Sequence, residues 1–287
     1  MNRIYFSPNW GLTSEEMAEN YIYQTPNSSG IWNDIRVTYD VNDADYLIIE
    51  DNCFDNGLLN KFQPEKRLYF SREALDDQSH LNYPSSDFLR FSFWDGSGYL
   101  YTKWMYPRNG GISMSYDDLI CEKSPIEKTK MISCVQSDKE MTPTHIARKN
   151  FIRKYSELNP IDVYGSIECA NSRLVDNDKR TALDDYRYTL AFDNQVILED
   201  FFGTQFTDAL LRWTVPIYGG GALLSEYFPE NSYIQINPED LGDIDKIVNT
   251  ISESDYNDRL DDIEEARCLI MDEYNLWPTI ERLIEEN

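Results

Sequence analysis

Two short apolar runs constrain this chain most. Tyr188-Thr-Leu-Ala-Phe192 ends in Asp193 and Asn194, and Trp213-Thr-Val-Pro-Ile-Tyr218 runs into Gly219, Gly220 and Gly221. A helix-length segment separates the two. Strand, helix, strand is the building unit of a parallel sheet with helices on its faces. In an open α/β sheet, ligands bind beyond the carboxyl ends of the strands. Helix N-termini and closely approaching backbone can hold phosphate there. One acidic and one glycine-rich strand end therefore point to a nucleotide or nucleotide-sugar site.

The same alternation runs through the rest of the chain. Ile4-Tyr-Phe, Ile35 to Tyr39, Tyr46 to Ile49 and Arg67 to Phe70 read as strands of a first unit. Thr13-Ser14-Glu15-Glu16 opens a helix running to Tyr23. The stretch from Gly96 to Gly111 reads as irregular structure. Cys121 to Lys130 is polar, carries Pro125 and is the best candidate for a linker. Lys130 to Val135 then starts a second unit, with a helix over Thr142 to Leu158, where Pro143 is tolerated at the start. Strands follow at Ile161 to Tyr164 and Tyr233 to Ile236. Leu241 to Ile251 and Ser254 to Glu285 read as acidic amphipathic helices. The pattern predicts two α/β units with a cleft between them.

Composition agrees with two ordinary cores. The chain has 287 residues, 41% hydrophobic and 14% aromatic. Its formal charge of −25 makes nucleic acid and anionic membranes poor partners, because long-range repulsion opposes both. None of the five Cys is spaced from another as a metal-ligand pair, and only His80 and His145 are present. The N-terminus lacks a signal-peptide core, and no apolar run is long enough to span a bilayer. The expectation is a cytoplasmic protein. Oligomeric state is not legible.

From Lys128 to about Leu241 the chain resembles glycosyltransferase family 10, the α-1,3/1,4-fucosyltransferases. The segments that carry this are Lys128-Thr-Lys-Met-Ile-Ser-Cys-Val, Ile161-Asp-Val-Tyr-Gly, Tyr188 to Asn194, Thr214-Val-Pro-Ile-Tyr-Gly-Gly and Tyr227-Phe-Pro-Glu-Asn-Ser-Tyr-Ile, in the family's order and spacing. The first half is similar more weakly, through Ala44-Asp-Tyr-Leu-Ile-Ile and Arg67-Leu-Tyr-Phe-Ser-Arg-Glu73. The resemblance implies an α/β protein of GT-B type, two Rossmann-like domains facing across a cleft. It sets an acceptor-side domain at 1–122, a nucleotide-sugar-binding domain at 123–265 and a C-terminal helix at 266–287 packing back on the first. It implies an inverting transfer of fucose from GDP-fucose to a glycan hydroxyl, without cofactor or metal.

Such a transfer needs a carboxylate to take the acceptor proton and cationic or hydrogen-bonding groups to stabilise the leaving diphosphate. The resemblance puts Glu73 at the base position; read alone, Glu73 is rather a solvated surface acid beside Asp76 and Asp77. It puts Arg173 or its rival Arg180 on the diphosphate, with Arg148 as a further donor contact, because guanidinium matches phosphate as a planar fork. Read alone, these are surface arginines among plentiful acids. Asp193 and Asn194 would accept hydrogen bonds from donor hydroxyls, or simply close a turn. Gly219 and Gly220 would let backbone approach the ligand, or make a turn. Where the family commonly carries Thr-Glu-Lys, this chain has Gly203-Thr204-Gln205. Thr204 and Gln205 can still hydrogen-bond a donor at a helix N-terminus, but a cation is missing, so a different nucleotide-sugar or a non-catalytic glycan-binding protein stays open. Asp43-Ala-Asp45 has the form of a metal-binding pair but precedes a strand, and is read as chance in an acidic chain.

Overall fold

The computed structural model describes residues 1–70, 90–91, 111–140, 143–158, 161–193, 202–221, 223–236 and 242–285. The chain divides into two compact units. One is Met1–Tyr101 with Met114–Cys121 and Met271–Asn287; the other is Thr102–Ser113 with Glu122–Ile270. In chain order the first contains β1 (Asn2–Phe6), α1 (Ser14–Ile22), β2 (Ile31–Trp32), β3 (Ile35–Val37), β4 (Tyr46–Glu50), α2 (Asn56–Leu59), β5 (Arg67–Phe70), β6 (Arg90–Phe91) and α3 (Tyr116–Cys121). The second contains β7 (Lys130–Gln136), α4 (Pro143–Leu158), β8 (Asp162–Gly165), α5 (Arg180–Leu183), β9 (Tyr186–Phe192), α6 (Thr204–Leu211), β10 (Val215–Gly219), β11 (Ile234–Gln235), α7 (Gly242–Thr250), α8 (Glu253–Asn257) and α9 (Leu260–Cys268). A π-helical turn, Leu269–Glu273, spans the return to the first unit, which α10 (Leu276–Glu285) completes.

Each unit is built on a parallel sheet. The first has the order β2-β3-β1-β4-β5-β6, with only β2 antiparallel to its neighbour; the second has the order β11-β10-β9-β7-β8. Leaving β2 aside, both are wound the same way. The unit's first parallel strand takes the second on one side and the later ones on the other. The winding reverses between β1 and β4, and again between β7 and β9. Both units are Rossmann-like, and these reversals are the switch points at which such sheets bind ligands.

Local sequence accounts for the elements. Thr13 caps α1 and Glu16 reaches back to the Thr13 amide at 2.8 Å, a complete capping box. β4 is buried at every position because both faces of its sheet are covered. On one face Ile4, Phe6, Ile48, Leu68 and Phe70 pack against Met17, Ala18 and Tyr21 of α1 and Leu276, Trp277 and Ile280 of α10. On the other, Leu47, Ile49 and Tyr69 meet Leu58, Leu59 and Phe62. No described helix is long and apolar enough to cross a membrane.

One expectation needs correction. The helix expected from Ser254 to Glu285 is three α-helices and a π turn. Asn275 breaks it: its buried side chain accepts the Trp277 amide at 2.8 Å, capping a new helix. The segment expected as a linker, Cys121 to Lys130, does carry the boundary between the units, at Cys121 and Glu122, and is irregular from Glu122 to Thr129; one of its charges, Lys128, is buried in the second unit. Lys128 Nζ donates to the carbonyls of Leu183 at 2.9 Å and Arg212 at 2.8 Å and to Thr214 Oγ1 at 2.9 Å. Glu122 pairs with Arg212 at 2.6 Å. Lys128 fastens the turns that precede β9 and β10, and so sets where both strands begin.

Replacing Lys128 by Ala takes its donor from three buried acceptors, of which the Leu183 carbonyl keeps Thr214 Oγ1 at 2.9 Å. The expected loss is about 3 kcal/mol of unfolding free energy, read by urea denaturation of both proteins. A change below about 0.5 kcal/mol, the range of an ordinary surface substitution, would show that Lys128 does not hold these turns.

Candidate functional site

The carboxyl ends of β7 and β9 border the second unit's switch point. α4 follows β7 there, and Arg148 in its second turn is half-buried. Its Nη1 donates to the carbonyl of Phe192, the last residue of β9, at 2.8 Å. Burial lowers the Arg148 pKa, and Cys134 and Asp193 act in the opposite direction. A guanidinium is thus planted at the carboxyl end of β9, beside the switch point.

Asp193 comes next and is only 5% exposed. Its Oδ2 accepts the Gly203 amide at 2.9 Å and also the Tyr218 hydroxyl. Its own amide donates to the Gly219 carbonyl at 3.2 Å. One carboxylate therefore joins the end of β9, the start of α6 and the end of β10. Burial pushes its pKa up to about 6, against the pull of Tyr218, Gly203, Arg148 and Lys179. Two glycines make room for this clamp. A Cβ on Gly203 would lie 2.3 Å from Asp193 Oδ1, and one on Gly220 would lie 2.1 Å from the Tyr218 hydroxyl.

Gly203 is the N-cap of α6 and offers no side chain to its first amides. Thr204 and Gln205 occupy the first turn, partly exposed. Below that turn lies a buried ion pair, Lys179 to Asp208 at 2.7 Å, with side chains 6% and 0% exposed. Lys179 Nζ also reaches the Thr204 carbonyl at 3.4 Å. A cation thus supports the helix N-terminus from beneath, inside the core. Phe206 anchors the same turn, with ring centroids 4.9 Å from Tyr218 and 5.1 Å from Phe228.

The structure brings together Arg148, Asp193, Thr204, Gln205, Gly219 and Gly220 around the ends of β9 and β10. Arg173 is exposed. Asn171 and Ser172, just before it, bond to Val163 of β8, the edge strand. The rival Arg180 is held by Asp178 at 2.7 Å, and that bond raises its pKa. Glu73, Asn194 and most of the stretch from Gly96 to Gly111 lie outside the described residues. Asp45 grips Arg3 with both oxygens, at 3.1 and 3.3 Å, which lowers its pKa, and Asp43 sits 3.7 Å from the same guanidinium. Sequence reasoning missed Tyr218, Gly203 and the Lys179–Asp208 pair. A tyrosine two residues before Gly220 was a readable signal for the first. Nothing local marks Lys179 as the partner of Asp208.

Residues 125–260, within the second unit, match the family described as glycosyltransferase family 10 (fucosyltransferase), C-terminal domain. Alpha-(1,3)-fucosyltransferase C of Drosophila melanogaster is 31% identical over 91 residues, 31% of this chain and 21% of that protein. The match thus spans about a fifth of that relative's length. Among solved structures, an alpha1,3-fucosyltransferase is 16% identical, with a TM-score of 0.49 covering 96% of this chain and 91% of that one. TarM is 11% identical, with a TM-score of 0.42 over 84% and 54%.

A carboxyl with a raised native pKa holds its proton longer when folded than when unfolded. Asp193 should make stability fall as pH rises from about 4 to about 6, the interval between its unfolded and folded values. Asp193→Asn should flatten that interval in denaturation measured at a series of pH values. Parallel curves for the two proteins would refute the assignment. Gly203→Ala should lower the melting temperature markedly, because its Cβ meets a pinned carboxylate.

Proposed function

We propose that this chain is an inverting glycosyltransferase that moves fucose from GDP-fucose to a hydroxyl of a glycan acceptor. The observation that carries this reading is the family match over residues 125–260, which contain the switch point and its arginine. The name of the Drosophila relative, an alpha-(1,3)-fucosyltransferase, supports it.

In this reading the acceptor oxygen attacks the anomeric carbon from the face opposite the nucleotide, and GDP departs with the bonding electrons. Glu73 takes the acceptor proton. Negative charge grows on the diphosphate, and Arg148 with the first amides of α6 receives it. Thr204 and Gln205 add hydrogen bonds, the backbone of Gly219 and Gly220 lets the donor lie close to β10, and Arg173 contributes a further cation. Asp193 acts by position, because its hydrogen bonds to Gly203 and Tyr218 fix the entry of α6. These groups neutralise charge without a metal.

One observation favours a second reading. Gln205 is neutral, and the buried Lys179 beneath it is engaged by Asp208. The change from the family's Glu-Lys to Thr204-Gln205 alters contacts to the nucleotide's ribose and phosphates, and so suits a different donor, such as a UDP-sugar, or a protein that binds glycans without transfer.

A thermal-shift screen without added metal separates these readings. GDP and GDP-fucose should raise the melting temperature, by about 2.7 kcal/mol of stabilisation at one hundred times Kd. A shift with UDP species alone selects the other donor, and none with any nucleotide refutes both transfer readings. Arg148→Ala should weaken GDP at least about tenfold, the loss of one charge-assisted contact. Glu73→Gln should abolish transfer with the melting temperature kept, and full activity in that variant would remove Glu73 as the base. Transfer should survive chelator.

A further inference from the structure

No residue of α6 is a cation: the helix reads Thr-Gln-Phe-Thr-Asp-Ala-Leu-Leu after Gly203 at its N-cap. A cation nevertheless lies against its first turn, on the core side. Lys179, the residue before α5, sets its Nζ 3.4 Å from the Thr204 carbonyl and 2.7 Å from Asp208 Oδ2, and both side chains are buried.

Stability does not explain this placement. The N-terminal end of a helix carries partial positive charge, so cations are favoured at the opposite end. The carbonyl of a first-turn residue has an intrahelical donor four residues on, and needs no lysine. A buried ion pair loses in desolvation much of what its attraction returns, and apolar residues of similar volume often serve as well. A protein with 26 cations against 51 acids has still put one here.

An anion at the N-terminus of α6 does explain it. The Thr204 carbonyl and the Gln205 amide belong to one peptide unit, so Lys179 Nζ lies within about 6 Å of that amide nitrogen. A phosphate oxygen accepting from the amide would sit about 3 Å further out. Charge acts at that range through a buried, weakly screened path. The N-cap already registers it: Asp193, which holds the Gly203 amide, has its pKa pulled down by both Arg148 and Lys179. The positive end of the pair thus reaches the same place as the positive end of the helix.

We propose that Lys179 is a positioning residue of the donor site, which keeps the N-terminus of α6 positive from within the core and so holds a diphosphate that it does not touch. The proposal rests on the transferase reading. Asp208 tempers the cation and keeps it charged, so the pair sets how strongly the site prefers a charged ligand.

The test titrates the full chain with GDP-fucose and with guanosine, which lacks the diphosphate. Mildly acidic buffer keeps a buried ammonium protonated when its carboxylate is removed. Asp208→Asn frees the cation and should tighten GDP-fucose about fivefold. Lys179→Met combined with Asp208→Leu removes both charges and should weaken GDP-fucose about threefold or more, with the melting temperature kept. Guanosine should bind equally to all three proteins, whereas a pair that merely shaped the pocket would move both ligands together. Weaker GDP-fucose binding in a folded Asp208→Asn, unchanged GDP-fucose binding in the double variant, or parallel shifts for guanosine overturns the proposal and leaves the transferase reading standing. Should Asp208→Asn fail to fold, the double variant decides. If only a UDP-sugar binds the unaltered chain, the same comparison is made with it and uridine. If neither nucleotide-sugar binds, the transferase reading falls and this proposal with it.

Discussion

A carboxylate is expensive to bury, and more so in a chain of net charge −25, unless donors meet it on every side. Asp193 is met by the Gly203 amide and the Tyr218 hydroxyl, with Arg148 and Lys179 adding positive potential. These partners come from α4, from beside α5, from the start of α6 and from the end of β10. Their convergence on one group sets where the helix N-terminus and the strand ends stand. The glycines at 203 and 220 follow from it, since neither position has room for a Cβ. The site's backbone geometry thus depends on an interaction no ligand needs to touch.

Cations are scarce in this protein, 26 Lys and Arg against 51 Asp and Glu, and several are spent inside the second unit. Lys128 fastens the turns before β9 and β10, and Arg212 binds Asp184 and Glu122. Arg267 lies 4.6 Å from the centre of the Trp213 ring, and Lys179 braces α6. Each is nearly fully buried. Removing any of them would leave carbonyls or carboxylates without donors. The positive charge left for a ligand is correspondingly modest, which is why Arg148, half in and half out at the switch point, carries so much of the proposed chemistry.

The two units share one winding but differ in what they present at its carboxyl end. The second offers a guanidinium, a helix N-terminus and glycine backbone, all suited to an anion.

The sequence alone determined the elements. Strand runs such as Tyr46 to Ile49 and Tyr188 to Phe192 are apolar at consecutive positions because both faces of a parallel sheet are covered, and Thr13 with Glu16 announces a helix start through contacts within one turn. Those signals are local, so they are legible. The winding of each sheet, and hence the position of its switch point, was not, because strand order depends on packing between distant segments. The same holds for Lys128, read as part of a linker, and for Lys179 with Asp208, twenty-nine residues apart. It holds for Arg173, which follows Asn171 and Ser172 where they bond to the edge strand β8. Tertiary structure alone decided which charges are buried and paired, since burial is a property of what the rest of the chain brings alongside.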